Sequence, residues 1–189
     1  MTKTTKTSRE DWLNFALDIL VKHGPEKLKI APLCEIRGVT KGSFYHHFKN
    51  RAVFIESLMA HWYQAMTLAF IEQANTQDSP LERLQKLDVV IANNNIEAEK
   101  HIRAWALKEP VIAPHLAKID QQRRDYLAAC YVELGMEQCA ANDVALMAYA
   151  NFLGMQQVYP APTIEEVLRV SAMASKALLP NIDDFKTLK

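Results

Sequence analysis

Glycine is scarce in this chain, five of 189 residues, and nowhere do glycines cluster into a phosphate-cradling loop. There are three cysteines, Cys34, Cys130 and Cys139. An odd number without C-x-x-C spacing excludes a disulfide framework and points to structural thiols in a reducing compartment. No apolar run approaches the roughly 20 residues that cross a bilayer. The polar Met1–Arg9 stretch has no apolar signal core, so the expected location is the cytoplasm, without membrane contact. HExxH and nucleophile-elbow motifs are both missing, and His61, His101 and His115 lack ligand spacing. The expectation is therefore not an enzyme, with no metal and no cofactor.

What remains is a helix-forming chain. Apolar residues make up 49%, and Ala, Leu, Glu, Lys and Gln are abundant, so the class expected is all-α. The net charge is zero, but the charge is unevenly spread. Residues 1–51 hold ten Lys and Arg against five acids, and the rest of the chain holds twelve against seventeen. A basic head on an acidic body suits a head that meets phosphate.

Apolar spacing and caps predict the elements. Ser8, with Asp11 three residues on, starts a helix over 9–23 that Gly24-Pro25 stops. A short helix over 30–36 ends at Gly38. Thr40 caps a helix over 41–48, its side-chain oxygen free to accept from a backbone N–H. Asn50 caps a long helix over 51–74 with Ile55, Leu58, Met59, Trp62, Met66 and Phe70 inward. Further helices are expected from Pro80, with Leu84, Leu87 and Ile91 inward, then over 96–107 and 113–134. Asn142 caps one reaching Val158, and Thr163-Ile164-Glu165-Glu166 caps a last one ending at Leu179-Pro180. The tail from Asn181 is expected to fray. A head of residues 1–51 and a body of 52–189 follow, with the 51–74 helix serving both.

The densest stretch is Val39-Thr40-Lys41-Gly42-Ser43-Phe44-Tyr45-His46-His47-Phe48. Two short helices joined by a tight glycine turn, the second rich in polar groups, describe a helix-turn-helix. Phe44 and Phe48, at i and i+4, share an inward face. Adjacent His46 and His47 point about 100° apart, a poor chelating pair.

These residues carry a resemblance. Leu13-x-x-Ala16, Gly24 and Gly38-Val39-Thr40-Lys41-Gly42-Ser43-Phe44-Tyr45-His46-His47-Phe48-Lys49-Asn50-Arg51 resemble the helix-turn-helix of the TetR family of bacterial transcriptional regulators. The match covers the first quarter of the chain; beyond it the likeness is in helix layout, with Arg103-Ala104-Trp105 and Asp120-Gln121-Gln122-Arg123 similar to one subgroup. The sequence departs from the family pattern at Trp12, at Leu33-Cys34 and at Lys29, where a capping Ser or Thr is usual. Arg51 stands for the usual Lys.

The resemblance implies a three-helix head joined through a long fourth helix to a six-helix ligand-binding and dimerisation bundle. It implies that the 41–48 helix enters the major groove of an operator. Thr40 would then bind a phosphate and Lys41 a phosphate or base edge. Gly42 would allow close approach, and Ser43 and His46 would face bases. Tyr45 and His47 would hold phosphate oxygens, with Lys49 and Arg51 extending that line.

In the body, Trp62, Met66, Asn94, Trp105, Arg123, Tyr126, Met147 and Asn151 are candidates to line a pocket for a small-molecule effector. Asn93–Asn95 could equally mark a helix end, and Arg123 could pair with Asp120. The last two helices show stripes, Ala145, Ala148, Phe152, Met155, Val158 and then Val167, Ser171, Ala174, Leu178. Phe152, Met155, Val167, Ser171, Ala174 and Leu178 are expected to form a homodimer interface. The function expected is a repressor that releases a pseudo-palindromic operator when it binds its effector. The alternatives are a thiol-based redox sensor using Cys130 and Cys139, and a constitutive DNA binder without effector.

Overall fold

In the computed structural model, residues 7–178 are described, and they form only helices and the turns between them. The side chains of residues 177 and 178 lie outside the described set. So do the Leu179-Pro180 stop and the tail from Asn181.

The first elements form where local chemistry dictates. Ser8 caps α1 (Arg9–His23) with a reciprocal box: its hydroxyl accepts from the Asp11 N–H at 3.0 Å and the Asp11 carboxylate accepts from its N–H at 2.7 Å. A 3-10 turn (Pro25–Leu28) leads to α2 (Ile30–Arg37). As its chemistry requires, Lys29 gives α2 no side-chain cap. Gly38, at φ 70°, closes α2: its N–H donates to the Glu35 carbonyl and that of Val39 to the Cys34 carbonyl, both at 3.0 Å. This is a Schellman stop, and it needs the left-handed conformation that glycine adopts freely. Then comes α3 (Lys41–His47), with Phe48 as its C-cap.

The helix expected over 51–74 is interrupted. Asn50 caps α4 (Arg51–Tyr63), accepting from the Val53 N–H at 2.9 Å. A π-helical turn (Gln64–Leu68) precedes α5 (Ala69–Ala74). The wider turn moves the buried register, so Thr67 is fully buried where Met66, only half-buried, was expected inward. Ser79 caps α6 (Pro80–Ala92), which is followed by α7 (Glu97–Ala106) and α8 (Ala113–Glu133). The next helix, α9 (Gln138–Met155), starts four residues before Asn142 and stops short of Val158. Its cap is Glu137, whose carboxylate accepts from the N–H of Cys139 at 2.8 Å and of Ala140 at 3.3 Å. Asn142 instead accepts from the Gln138 side chain at 3.0 Å. The last helix, α10 (Ile164–Leu178), has the expected box between Thr163 and Glu166.

The described residues pack into two compact units. One runs through Met66 and takes in Ile96–Ala117; the other holds Thr67–Asn95 and the described residues from Lys118. In the first, α1 packs on α4 and on α7. Its core joins Trp12, Ala16, Leu20, Leu33, Phe44, Phe48 and Phe54 to Ile102, Trp105 and Ile112, all buried. A head of about 50 residues is marginal by itself, and α7 adds the buried Ile102 and Trp105 to this unit's core. In the second unit, α6 packs on α5 and α10. Its core is Ala128, Tyr131, Leu134, Ala141 and Ala145, with Leu81, Leu84, Leu127, Met136 and Val144 against it.

Candidate nucleic-acid interface

Helix α3 is held by its aromatic face. Phe44 and Phe48 are fully buried, and their rings lie 5.2 Å apart. Phe44 meets Trp12 edge-on at 5.7 Å and Phe54 at 5.3 Å, while Phe48 meets Phe54 at 5.1 Å. Edge-to-face pairs at these separations add to the area they bury. The contacts fix the rotation of α3 about its axis and so decide which residues face outward.

Those residues are Thr40, Lys41, Gly42, Tyr45, His46 and Lys49, all exposed; Ser43 and His47 are half-buried. Tyr45 is 52% exposed, although its ring contacts Phe44. The His46 and His47 rings lie 4.9 Å apart at 82°. Thr40 begins α3 without a side-chain capping bond, contrary to the expectation that it would accept one. A Cβ added at Gly42 would meet only the Thr40 hydroxyl, at 3.5 Å, so the glycine leaves a shallow spot on this face.

Two nearby arginines are spent on the scaffold. Arg37 lies 4.6 Å from the ring centres of both Trp12 and Phe15 and donates to the Asp11 carbonyl at 3.2 Å. Burial there lowers its pKa. Arg9 covers Phe48 at 5.3 Å and donates to Ser57 at 2.5 Å.

Arg51, expected to extend the phosphate line, is engaged within the fold. Its guanidinium grips Glu109 with two bonds, 2.5 and 2.8 Å. The Trp105 indole N–H also donates to that carboxylate, at 2.7 Å. The Arg51 hydrogen bond is the main reason the Glu109 carboxyl titrates below its ordinary range; Trp105 and the positive charge of Lys29 act in the same direction. Sequence reasoning missed Glu109. Its i, i+4 spacing from Trp105 was the one local hint.

The expected pocket residues fall in both units. In the first, Trp62 and Trp105 are core, fully buried. In the second, Arg123 donates to the Thr67 hydroxyl at 2.9 Å and to Tyr149 at 3.3 Å, and Tyr149 donates to Asp120 at 2.7 Å. Tyr126 donates to Asn75 at 2.8 Å, and Asn151 is half-buried. Two placements are corrected. Met147 is 56% exposed rather than inward. Asn94 does not continue the inward stripe of α6, because the helix has already ended: Asn93 and Asn94 fold back to donate to the carbonyls of Val89 and Val90 at 2.8 and 2.7 Å. A groove of about 410 Å³ on this unit is lined by Asp125, Ala128, Ala129, Val132, Glu133, Gln138 and Asn142, none of them a candidate.

On α9 and α10, Phe152, Met155, Val167, Ser171 and Ala174 are half-buried, and the Leu178 side chain lies outside the described residues. Ala145, expected on the outer stripe, belongs to the core because its face of α9 packs on α8. The Cys130 thiol is buried and its pKa raised by burial; Cys139 is exposed. Among the described residues no three His, Cys, Asp or Glu side chains are placed to hold a metal. No helix of theirs is long and apolar enough to cross a membrane.

No family model matches the chain. It is 25% identical over 113 residues to the HTH-type transcriptional repressor KstR2 of Mycolicibacterium smegmatis, covering 60% of this chain and 53% of that one. It is 24% identical over 113 residues to the HTH-type transcriptional regulator TtgR of Pseudomonas putida, covering 58% and 54%. The chain thus spans about half the length of the curated relatives it matches. Among solved structures, a Rhodococcus protein assigned to the TetR family of transcriptional regulators superposes with a TM-score of 0.75 at 18% identity, covering 90% of this chain and 98% of that one. A second Rhodococcus transcriptional regulator gives 0.77 at 16%, covering 93% and 97%. The fold is that of TetR-family regulators, and the matched proteins are regulators rather than enzymes.

Proposed function

We propose that this chain is a TetR-type, DNA-binding transcriptional regulator, working in the cytoplasm as a homodimer that represses until a small-molecule effector binds it. One observation carries the reading: the aromatic face of α3 is locked into the core, and the opposite face presents Thr40, Lys41, Gly42, Tyr45 and His46 to solvent. Phosphate contacts position such a helix, and groups that reach base edges give it specificity. Thr40, Lys41, Tyr45, His47 and Lys49 serve the first task and Ser43 and His46 the second, with Gly42 letting the helix backbone approach. Residues 1–51 supply the DNA contacts. Residues 52–189 supply dimerisation and the effector contacts, for which Arg123, Tyr126 and Asn151 of the second unit remain the candidates. The effector lowers DNA affinity by binding the DNA-incompetent form more tightly, a coupling of typically about 1–3 kcal/mol.

Selection of genomic fragments by the purified protein at physiological salt tests this. A discrete pseudo-palindromic site is the expected result. Weak, salt-sensitive and sequence-blind binding would contradict it. The redox alternative has less support, since Cys130 is buried and its thiol is disfavoured as a thiolate.

A further inference from the structure

We infer that Glu109 is a built-in competitor of the DNA backbone for Arg51, so that the free protein holds one of its phosphate-binding cations in reserve. The inference rests on the DNA-binding reading above. Arg51 opens α4, two residues after the exposed Lys49 and directly after the cap Asn50. A cation at that place extends the line of positive groups that runs from α3. Its planar fork suits a carboxylate or a phosphate equally, but it satisfies one at a time.

Three features show that Glu109 is placed to take that fork. The grip is bidentate, at 2.5 and 2.8 Å. The carboxylate is itself fixed by the buried Trp105 indole, 2.7 Å away. Lys29, the residue that starts α2, also contributes its charge to the field at Glu109. The pair is not sealed: the Arg51 and Glu109 side chains are 34% and 26% exposed, so a phosphate oxygen can reach the guanidinium.

Exchange of the carboxylate for a phosphate conserves two charge-assisted hydrogen bonds but leaves Glu109 negative beside the duplex. Glu109 thus weakens DNA binding twice, by occupying Arg51 and by repelling the backbone. Trp105 is a positioning residue that keeps the competitor in place, on a helix outside the helix-turn-helix.

The test measures binding of the full-length protein to short duplex DNA of mixed sequence across a salt series. Phosphate contacts need no operator, so the probe does not depend on one being known. Glu109→Gln still accepts from the Trp105 N–H but loses the charge. It is expected to bind several-fold more tightly than the wild type, with log K against log salt steeper by about 0.9, the slope of one more phosphate. Arg51→Gln should remove the added slope in the double variant, leaving only the smaller gain from the lost repulsion. Arg51→Lys, which loses the bidentate fork yet keeps a cation, should also steepen the slope, and this second readout covers the case in which Glu109→Gln folds poorly. Unchanged or weaker binding by both Glu109→Gln and Arg51→Lys, with unchanged slopes, overturns the inference. Lys41→Ala separates the two levels. If it weakens binding while Glu109→Gln has no effect, only the role of Glu109 falls; if neither variant changes binding, the DNA-binding reading falls with it.

Discussion

At the scale of single residues, Asp88 carries the clearest electrostatic cost in the chain. It lies on α6, four and seven residues beyond Leu84 and Leu81, the two α6 side chains that pack on the core around Tyr131. Burial raises its carboxyl pKa from 3.8 to about 6, and among the described residues no cation offsets it. The neighbouring Tyr131 is likewise pushed up to about 12, first by its own burial and then by the Asp88 charge. A carboxyl whose pKa is higher folded than unfolded stabilises the fold only while protonated. Its contribution is therefore complete below about pH 4 and is lost as pH rises to about 6. A rise of that size corresponds to about 3 kcal/mol, part of which an amide would give back through its own desolvation. Asp88→Asn should accordingly raise stability by about 2 kcal/mol near neutral pH, with the gain vanishing near pH 4. Urea midpoints at the two pH values check it. A variant less stable than the wild type at neutral pH would mean that the Asp88 charge is satisfied in the fold.

At the scale of elements, α3 sets a propensity against a purpose. Gly42 lies one residue into a helix of only seven, where glycine costs about 1 kcal/mol relative to alanine. Packing does not demand it: an added Cβ finds ordinary contact with Thr40 at 3.5 Å. Gly42→Ala should thus hold or raise the melting temperature while weakening DNA binding, because the methyl group stands on the face that approaches the duplex. Tight binding by a stabilised variant would mean that α3 presents a different face to DNA.

The same elements show which parts of the structure local chemistry specifies. The start of α1, the Gly38 stop, the exposed and buried faces of α3, and the Thr163–Glu166 box depend on residues three or four apart, and all were visible as spacing. The π-turn was not, because the partner of the buried Thr67 hydroxyl is Arg123, 56 residues away. Nor was the Arg51–Glu109 grip, whose partners are 58 residues apart. Periodicity alone also does not mark where a helix ends. The α6 stripe extrapolated to Asn94, whereas the amides of Asn93 and Asn94 had already turned back to close the helix. At α9 the cap is a glutamate, outside the usual Ser, Thr, Asp and Asn set, which hid the true start behind Asn142.

At the scale of the whole molecule, we propose that the apolar residues of α9 and α10 meet a second copy of the chain. Leu146 and Met147 on α9 are 50% and 56% exposed, and Ile164 and Met173 on α10 are 51% and 61% exposed. The half-buried Phe152, Met155, Val167, Ser171 and Ala174 belong to the same two helices. Exposed apolar groups are unfavourable in water at about 25 cal/mol per Å², and a contiguous patch of them marks an interface. A two-fold axis along the stripe of Phe152, Met155, Val167, Ser171 and Ala174 would bury that stripe and pair each helix with its own counterpart. On the DNA-binding reading such a dimer carries two copies of α3, and a pseudo-palindromic operator would match them with half-sites about one helical turn apart or a multiple of it. Sedimentation at micromolar concentration should give twice the mass of the chain. Ser171→Glu, with a charge in the middle of the α10 stripe, should shift the equilibrium to monomer without changing the helix content. Its DNA binding should then lose the operator preference that two linked heads provide, yet keep the salt-dependent binding of a single head, with about half the slope of the dimer. A wild-type monomer, or a Ser171→Glu variant that stays dimeric and binds the operator fully, would place the interface elsewhere on the chain.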